Sequence, residues 1–243
     1  MGTYMQVKLT SSLSHRHVTI DLLRAIAITL MLTFHFCYDL QFLSIVNLGI
    51  PNSTGWREFR AIIVSLFLIT MGASLKLAYP QNLNWRRFSA KLFTLAVSAL
   101  LISLASLVVI NANWIFFGII HFILLATALA VGFRHSPKLS FVIATTIIII
   151  DYLTLLPNKW PFNYIDSLLP VKTNDFVAIF PWLALPFIGI TLAHQGFIIN
   201  DPCRAMKLPN CIKWLSQHSL MIYLLHQPIF LGICYGYKQY VSH

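Results

Sequence analysis

The sequence predicts an all-α, polytopic membrane helix bundle of about seven transmembrane helices, with the N-terminus cytoplasmic and the C-terminus outside. Three observations predict it. Hydrophobic residues fill 58% of the 243 positions and charged residues only 10%, with a mean hydropathy of +0.74. A soluble domain carries roughly 25% charged residues, so this chain cannot clothe a water-facing surface. Apolar runs near the length of about 20 residues that crosses a bilayer recur along the chain. Breakers separate these runs: Pro51-Asn52-Ser53, Pro80-Gln81-Asn82, Asn111-Ala112-Asn113, His135-Ser136-Pro137, Pro157-Asn158 and Asp201-Pro202. A soluble globular enzyme and a disordered chain are both excluded.

The spans run from Val18 to Leu40, Arg57 to Tyr79, Phe88 to Ile110, Trp114 to Phe133, Leu139 to Leu156, Asp175 to Ile199, and Ile212 to Tyr237. The first is not a cleaved leader, because it is too long, contains Asp21 and Arg24, and lacks a small-residue cleavage site. Residues 1–17 form a cytoplasmic tail and residues 18–238 one transmembrane domain. Four cysteines without CxxC spacing argue against a disulfide framework and against a metal site.

Orientation follows from the basic residues. Lys8, Arg16, Lys76, Arg86, Arg87, Lys91, Arg134, Lys138, Arg204, Lys207 and Lys213 lie on one side, and Arg57, Arg60, Lys159, Lys172 and Lys238 on the other. The richer side faces the cytoplasm. The net charge of +10 therefore reads as basic loops against anionic headgroups rather than a nucleic-acid surface.

Ionisable residues inside a span are costly and by default functional. The first span has four: Asp21, Arg24, His35 and Asp39. At about 100° per residue, Arg24 and His35 differ by three turns plus about 20°, and Asp21 and Asp39 fall within about 60° of them. All four share one face. His35 stands about 16 Å beyond Arg24 along the axis. Asp39, four residues on, is placed to hold one imidazole nitrogen and leave the other for proton uptake. A purely interfacial Asp21–Arg24 ion pair is the plainer reading of that end.

The stretch Ile20-Asp21-Leu22-Leu23-Arg24-Ala25-Ile26-Ala27, continuing to His35-Phe36-Cys37-Tyr38-Asp39-Leu40, resembles the opening of the heparan-α-glucosaminide N-acetyltransferase catalytic-domain family. Its Arg-x10-His spacing is also similar to the first helix of the acyltransferase-3 membrane acyltransferases. Gly118-Ile119-Ile120-His121, Phe180-Pro181-Trp182, Gly189-Ile190-Thr191-Leu192 and the run from His218 to Pro228 resemble later motifs of the first family. Ala25 stands where that family usually has Gly. The loop histidine of its eukaryotic members has no counterpart between Phe36 and Ile120, so its role passes to His35 by analogy.

The resemblance implies a small bacterial-type, inner-membrane acetyltransferase. Acetyl-CoA is the expected co-substrate and a sugar or glycan the expected acceptor, with the lipid bilayer as the remaining partner. A homodimer is admitted, and nucleic acid is not a partner. His35 and Asp39 are the candidate catalytic residues. Arg24, Asp21, Arg86 and Arg87 are candidates for holding coenzyme A. By depth in the spans, His121, Asp151, Trp182, His226 and Gln227 share the outer layer with His35 and are candidates for the acceptor chamber. Direct transfer and an acetyl-histidine intermediate both fit. A proton-coupled transporter would also place His and Asp within spans, but no internal repeat supports it.

Overall fold

The computed structural model describes residues 17–50, 52–110, 113–170, 175–195, 198 and 200–241. Residues 1–16, with Lys8 and Arg16 of the expected tail, and Lys172 lie outside the described residues. Eight α-helices and two 3-10 segments make up the described chain, and no strand occurs among the described residues. The helices are α1 Val18–Phe42, α2 Thr54–Ala78, α3 Trp85–Ile110, α4 Ile119–Ala130, α5 Pro137–Tyr152, α6 Ala184–Leu192, α7 Asn210–Gln217 and α8 Ser219–Val241. The 3-10 segments are Val131–Phe133, which extends α4, and Phe162–Leu168.

Among the described residues, Val18–Phe42, Thr54–Ala78, Trp85–Val109 and Ser219–Val241 are long and apolar enough to cross a membrane. At about 1.5 Å per residue, the 25 residues of α1 run about 37 Å, beyond the roughly 30 Å of bilayer hydrocarbon. On α3, Phe93, Val97, Leu100, Leu104 and Val108 recur at helical spacing and are all exposed. That stripe suits lipid contact.

Three of the seven predicted spans, the fourth, sixth and seventh, differ most from expectation, and the fifth is the 16-residue α5. The fourth begins at Ile119, because the extended backbone of Gly118 (φ −95°, ψ −171°) starts the helix there and leaves Trp114–Phe117 as loop. The sixth contracts to the nine residues of α6. Asp175 to Leu183 precede it as extended backbone and tight turns, and Pro181 and Pro186 each lack an amide proton for a longer ladder. The seventh is interrupted at His218 (φ −105°, ψ 21°), which separates the short α7 from α8.

Buried non-helical backbone persists only where its polar groups are satisfied. The segment before α6 meets that condition. The Val177 amide donates to the Phe117 carbonyl at 3.3 Å, and Arg60 Nη2 donates to the Phe176 carbonyl at 2.7 Å. Val177, Ile179 and Ala184 are buried.

The centre of the bundle is the crossing of α2 and α6. A Cβ on Gly72 would lie 2.0 Å from the Pro186 carbonyl oxygen, and one on Gly189 would lie 2.2 Å from the Ile69 carbonyl oxygen. Each glycine lets the facing backbone approach, as small residues do at close helix crossings in membranes. The main core, with Leu68, Leu75, Phe122, Phe187 and Ile190, is built around this contact. A second cluster of Ile28, Met31, Phe34, Ile50 and Ile63 joins α1 to α2.

The N-terminus of α1 is capped from far along the chain. Asp201 accepts hydrogen bonds from the Val18 and Thr19 amides, both at 2.8 Å, and from the Thr19 hydroxyl at 2.6 Å. Its carboxylate satisfies two free amides and complements the helix dipole.

Candidate active site

The polar face of α1 forms as the periodicity requires, and α8 supplies its partners. Asp39 is fully buried, and its Oδ1 accepts from Gln227 Nε2 at 2.6 Å. No hydrogen bond joins Asp39 to His35 among the described residues, so Asp39 does not orient His35 as the i,i+4 spacing suggested. His35 is partly buried and meets His226 instead, with ring centroids 4.7 Å apart at 65°. The phenyl ring of Phe34 flanks His35 edge-on.

His226 is 6% exposed. Its Nδ1 lies 2.6 Å from the Tyr223 carbonyl. A carbonyl only accepts, so Nδ1 carries the proton, and in the neutral ring Nε2 bears the lone pair. That Nε2, Asp39 Oδ2 and Gln227 Oε1 are buried without a hydrogen-bond partner among the described residues. Three unsatisfied acceptors on one turn of α8 and the facing turn of α1 suit a ligand that donates hydrogen bonds.

Two further residues belong to this site. Asp175, in the left-handed region at φ 60°, accepts from the Tyr223 hydroxyl at 3.3 Å through Oδ2 and pairs with Arg60 Nη2 at 3.5 Å through Oδ1. Gly118 leaves it room: a Cβ there would fall 3.2 Å from Asp175 Oδ2. The Asp175 charge acts on Tyr38, His121, Tyr223 and His226, and the Arg60 charge acts on His35. By sequence, Asp175 is only the first residue of an expected span and Arg60 one of the basic residues on the expected outer side. The signal available was scarcity: with only 7 acidic residues in the chain, one that opens an apolar run carries weight.

The opposite end of the α1 face holds Asp21 and Arg24. Arg24 donates to Ser74 Oγ at 2.7 Å and to Ser216 Oγ at 3.4 Å, and it stands 3.7 Å from Asp21 Oδ1. The Ser216 hydroxyl donates to Asp21 at 2.8 Å. Asp21 and Arg24 are thus ion-paired within a network joining α1, α2 and α7. Lys91 lies within electrostatic reach of both Arg24 and Arg87, while Arg86 and Arg87 are exposed at the start of α3. A cleft of about 500 Å³ lies beside this network, lined by Val18, Asp21, Met206, Lys207, Leu208, Lys213 and Gln217.

The remaining candidates for the chamber are not gathered at the histidine pair. His121 accepts the Gly118 amide on Nδ1 at 3.2 Å, and its Nε2 reaches the Ser103 hydroxyl at 3.0 Å. Both nitrogens close the start of α4 against α3, a positioning job. Trp182 is packed into the main core. Asp151 is exposed at the end of α5, a helix that packs mainly on α6. Among the described residues, no three His, Cys, Asp or Glu side chains converge as for a metal ion.

An all-helical chain among the described residues, with four helices long and apolar enough to cross a membrane and a histidine pair and a cationic cluster along one helix face, has the build of an integral membrane protein. The catalytic-domain profile of heparan-alpha-glucosaminide N-acetyltransferase matches residues 16–228, and the chain belongs to that family. The resemblance carried by the first and last helices is confirmed, and membership implies acetyltransferase chemistry in general. No curated protein and no solved structure matches the chain.

Proposed function

We propose that the protein is a membrane acetyltransferase. It carries an acetyl group from cytoplasmic acetyl-CoA to an amino or hydroxyl group of a sugar or glycan on the outer side of the bacterial inner membrane. The bundle crosses the membrane seven times when α4 with its 3-10 extension, α5 and the turn–helix segment around α6 are counted with the four long helices. The N-terminus is cytoplasmic, and α7 lies along the cytoplasmic surface.

The observation that carries this reading is the pairing of His35 with His226 at one end of a helix face whose other end is cationic. Coenzyme A phosphates are held by Arg24 and Lys91, with Arg86 and Arg87 at the rim. The rise of about 16 Å from Arg24 to His35 is of the order of a pantetheine arm. The thioester carbonyl then lies at His35. The acceptor presents its N–H or O–H to the three buried acceptors, His226 Nε2, Asp39 Oδ2 and Gln227 Oε1. As the acceptor attacks the thioester, its proton passes to the histidine pair.

Labelled acetyl-CoA and a panel of glucosamine-containing acceptors, incubated with the purified protein, test this. His35→Ala abolishes transfer and retains coenzyme A binding, whereas Arg24→Ala weakens that binding. Thermal stabilisation by free ions, with none by any coenzyme A species, would overturn the proposal in favour of a transporter.

A further inference from the structure

Tyr223 is bonded at both of its ends. Its hydroxyl donates to Asp175, and its carbonyl accepts the Nδ1 proton of His226. Asp175 is itself clamped from separate directions. Arg60 on α2 stands at one carboxylate oxygen and Gly118, at the start of α4, beside the other. A non-glycine residue at positive φ costs free energy and persists only where its surroundings over-determine it. Asp39, the carboxylate nearest in sequence to His35, is committed to Gln227. Asp175 is thus the carboxylate whose charge bears on His226 while its hydrogen bond fixes the residue that orients that ring.

We propose, on the acetyltransferase reading, that His226 Nε2 is the atom that takes the acceptor's proton, and that Asp175, acting through Tyr223, is the positioning residue that holds it to that task. The acceptor's lone pair attacks the thioester carbonyl carbon and the new C–N or C–O bond forms. The acceptor's proton moves to Nε2. The C–S bond breaks, the sulfur leaves as thiolate, and the proton passes from Nε2 to that sulfur. The products are the acetylated acceptor and free coenzyme A, with His226 restored. Between the two proton transfers His226 is cationic, and the Asp175 carboxylate opposes that charge in a low-dielectric setting. Arg60 keeps the carboxylate in place.

Steady-state transfer from labelled acetyl-CoA to glucosamine by the full chain in detergent is the first measurement. Asp175→Asn is expected to lower kcat by about 100-fold, the lower end of a general base's contribution, with KM for acetyl-CoA within about two-fold. Asp175→Glu returns most of the rate, which a packing role would not allow. A kcat for Asp175→Asn within about two-fold of wild type overturns the proposal, as does a loss that follows melting temperature and is not rescued by Glu. Histidine 15N NMR is the second measurement and needs no turnover. His226 is expected to show a protonated Nδ1 and a bare Nε2 in the wild type, and mixed tautomers in Asp175→Ala. An unchanged signature in Asp175→Ala sinks the inference. A wild type that transfers no acetyl group sinks the enzymatic reading alone, and the NMR comparison still decides the role of Asp175 in holding His226.

Discussion

Asp201 illustrates how one side chain can govern a helix to which it does not belong. Burial by itself would raise its carboxyl pKa. The hydrogen bonds from the Thr19 hydroxyl and from the Thr19 and Val18 amides, with His17 nearby, outweigh that and leave it below the ordinary carboxylate value. A depressed folded-state pKa stabilises the fold above the unfolded value of about 4. That contribution disappears as pH falls through the lower, folded value. Asp201→Ala should therefore cost about 1–2 kcal/mol near neutrality, as lost caps do. Thermal melts in detergent should show the gap between variant and wild type closing as the buffer is made strongly acidic. A gap that persists in acid would assign the loss to packing. The same scale explains what could be read beforehand. His35, Asp39, His226 and Gln227 were legible because polar groups in apolar helices stand out at known periodicity. Which of them touch was not. An i,i+4 spacing permits Asp39 to reach His35, but Oδ1 accepts from the amide of Gln227, 188 residues on, and Oδ2 has no hydrogen-bond partner among the described residues. Asp175 stayed hidden because loop residues carry no periodic signal.

Helix lengths were legible wherever composition alone decides them, as in α1, α2 and α3. They were misjudged where backbone geometry intervenes. Apolarity from Asp175 onward reads as a span, yet the chain needs Asp175 to Leu183 non-helical to bring Asp175 and Phe176 to Arg60. The α2–α6 crossing was likewise invisible, because nothing in one sequence says which glycines face each other. It makes a sharp prediction. Gly72→Ala and Gly189→Ala each force a methyl into a carbonyl and should destabilise by about 3 kcal/mol or more, the upper range for overpacking. Gly232, in α8, has open space where a Cβ would stand. Gly232→Ala should leave stability unchanged or raise it by up to about 1 kcal/mol, from helix propensity alone. Melting temperature and monodispersity after detergent extraction read both effects. Equal behaviour of the three variants would refute the close crossing.

The class of the molecule followed from composition before any residue was considered, since a chain with so few charges has no aqueous surface to form. Its sidedness rests on the proposed orientation, and the free thiols offer a direct check. Cys211 is exposed on α7, whereas Cys234 is buried in α8. A membrane-impermeant maleimide should label Cys211 in inverted vesicles and not in right-side-out ones, and labelling from the outside would reverse the assigned topology. The arrangement of α1 also bears on how the protein is made. Its cap comes from Asp201, 183 residues after Val18, its acidic residue Asp21 is bonded by Ser216, and Asp39 is bonded by Gln227. The first turn and the far end of α1 thus lack these partners until residues 201–227 have been made. A nascent chain halted before residue 201 would leave the Val18 and Thr19 amides uncapped and Asp39 without its amide donor.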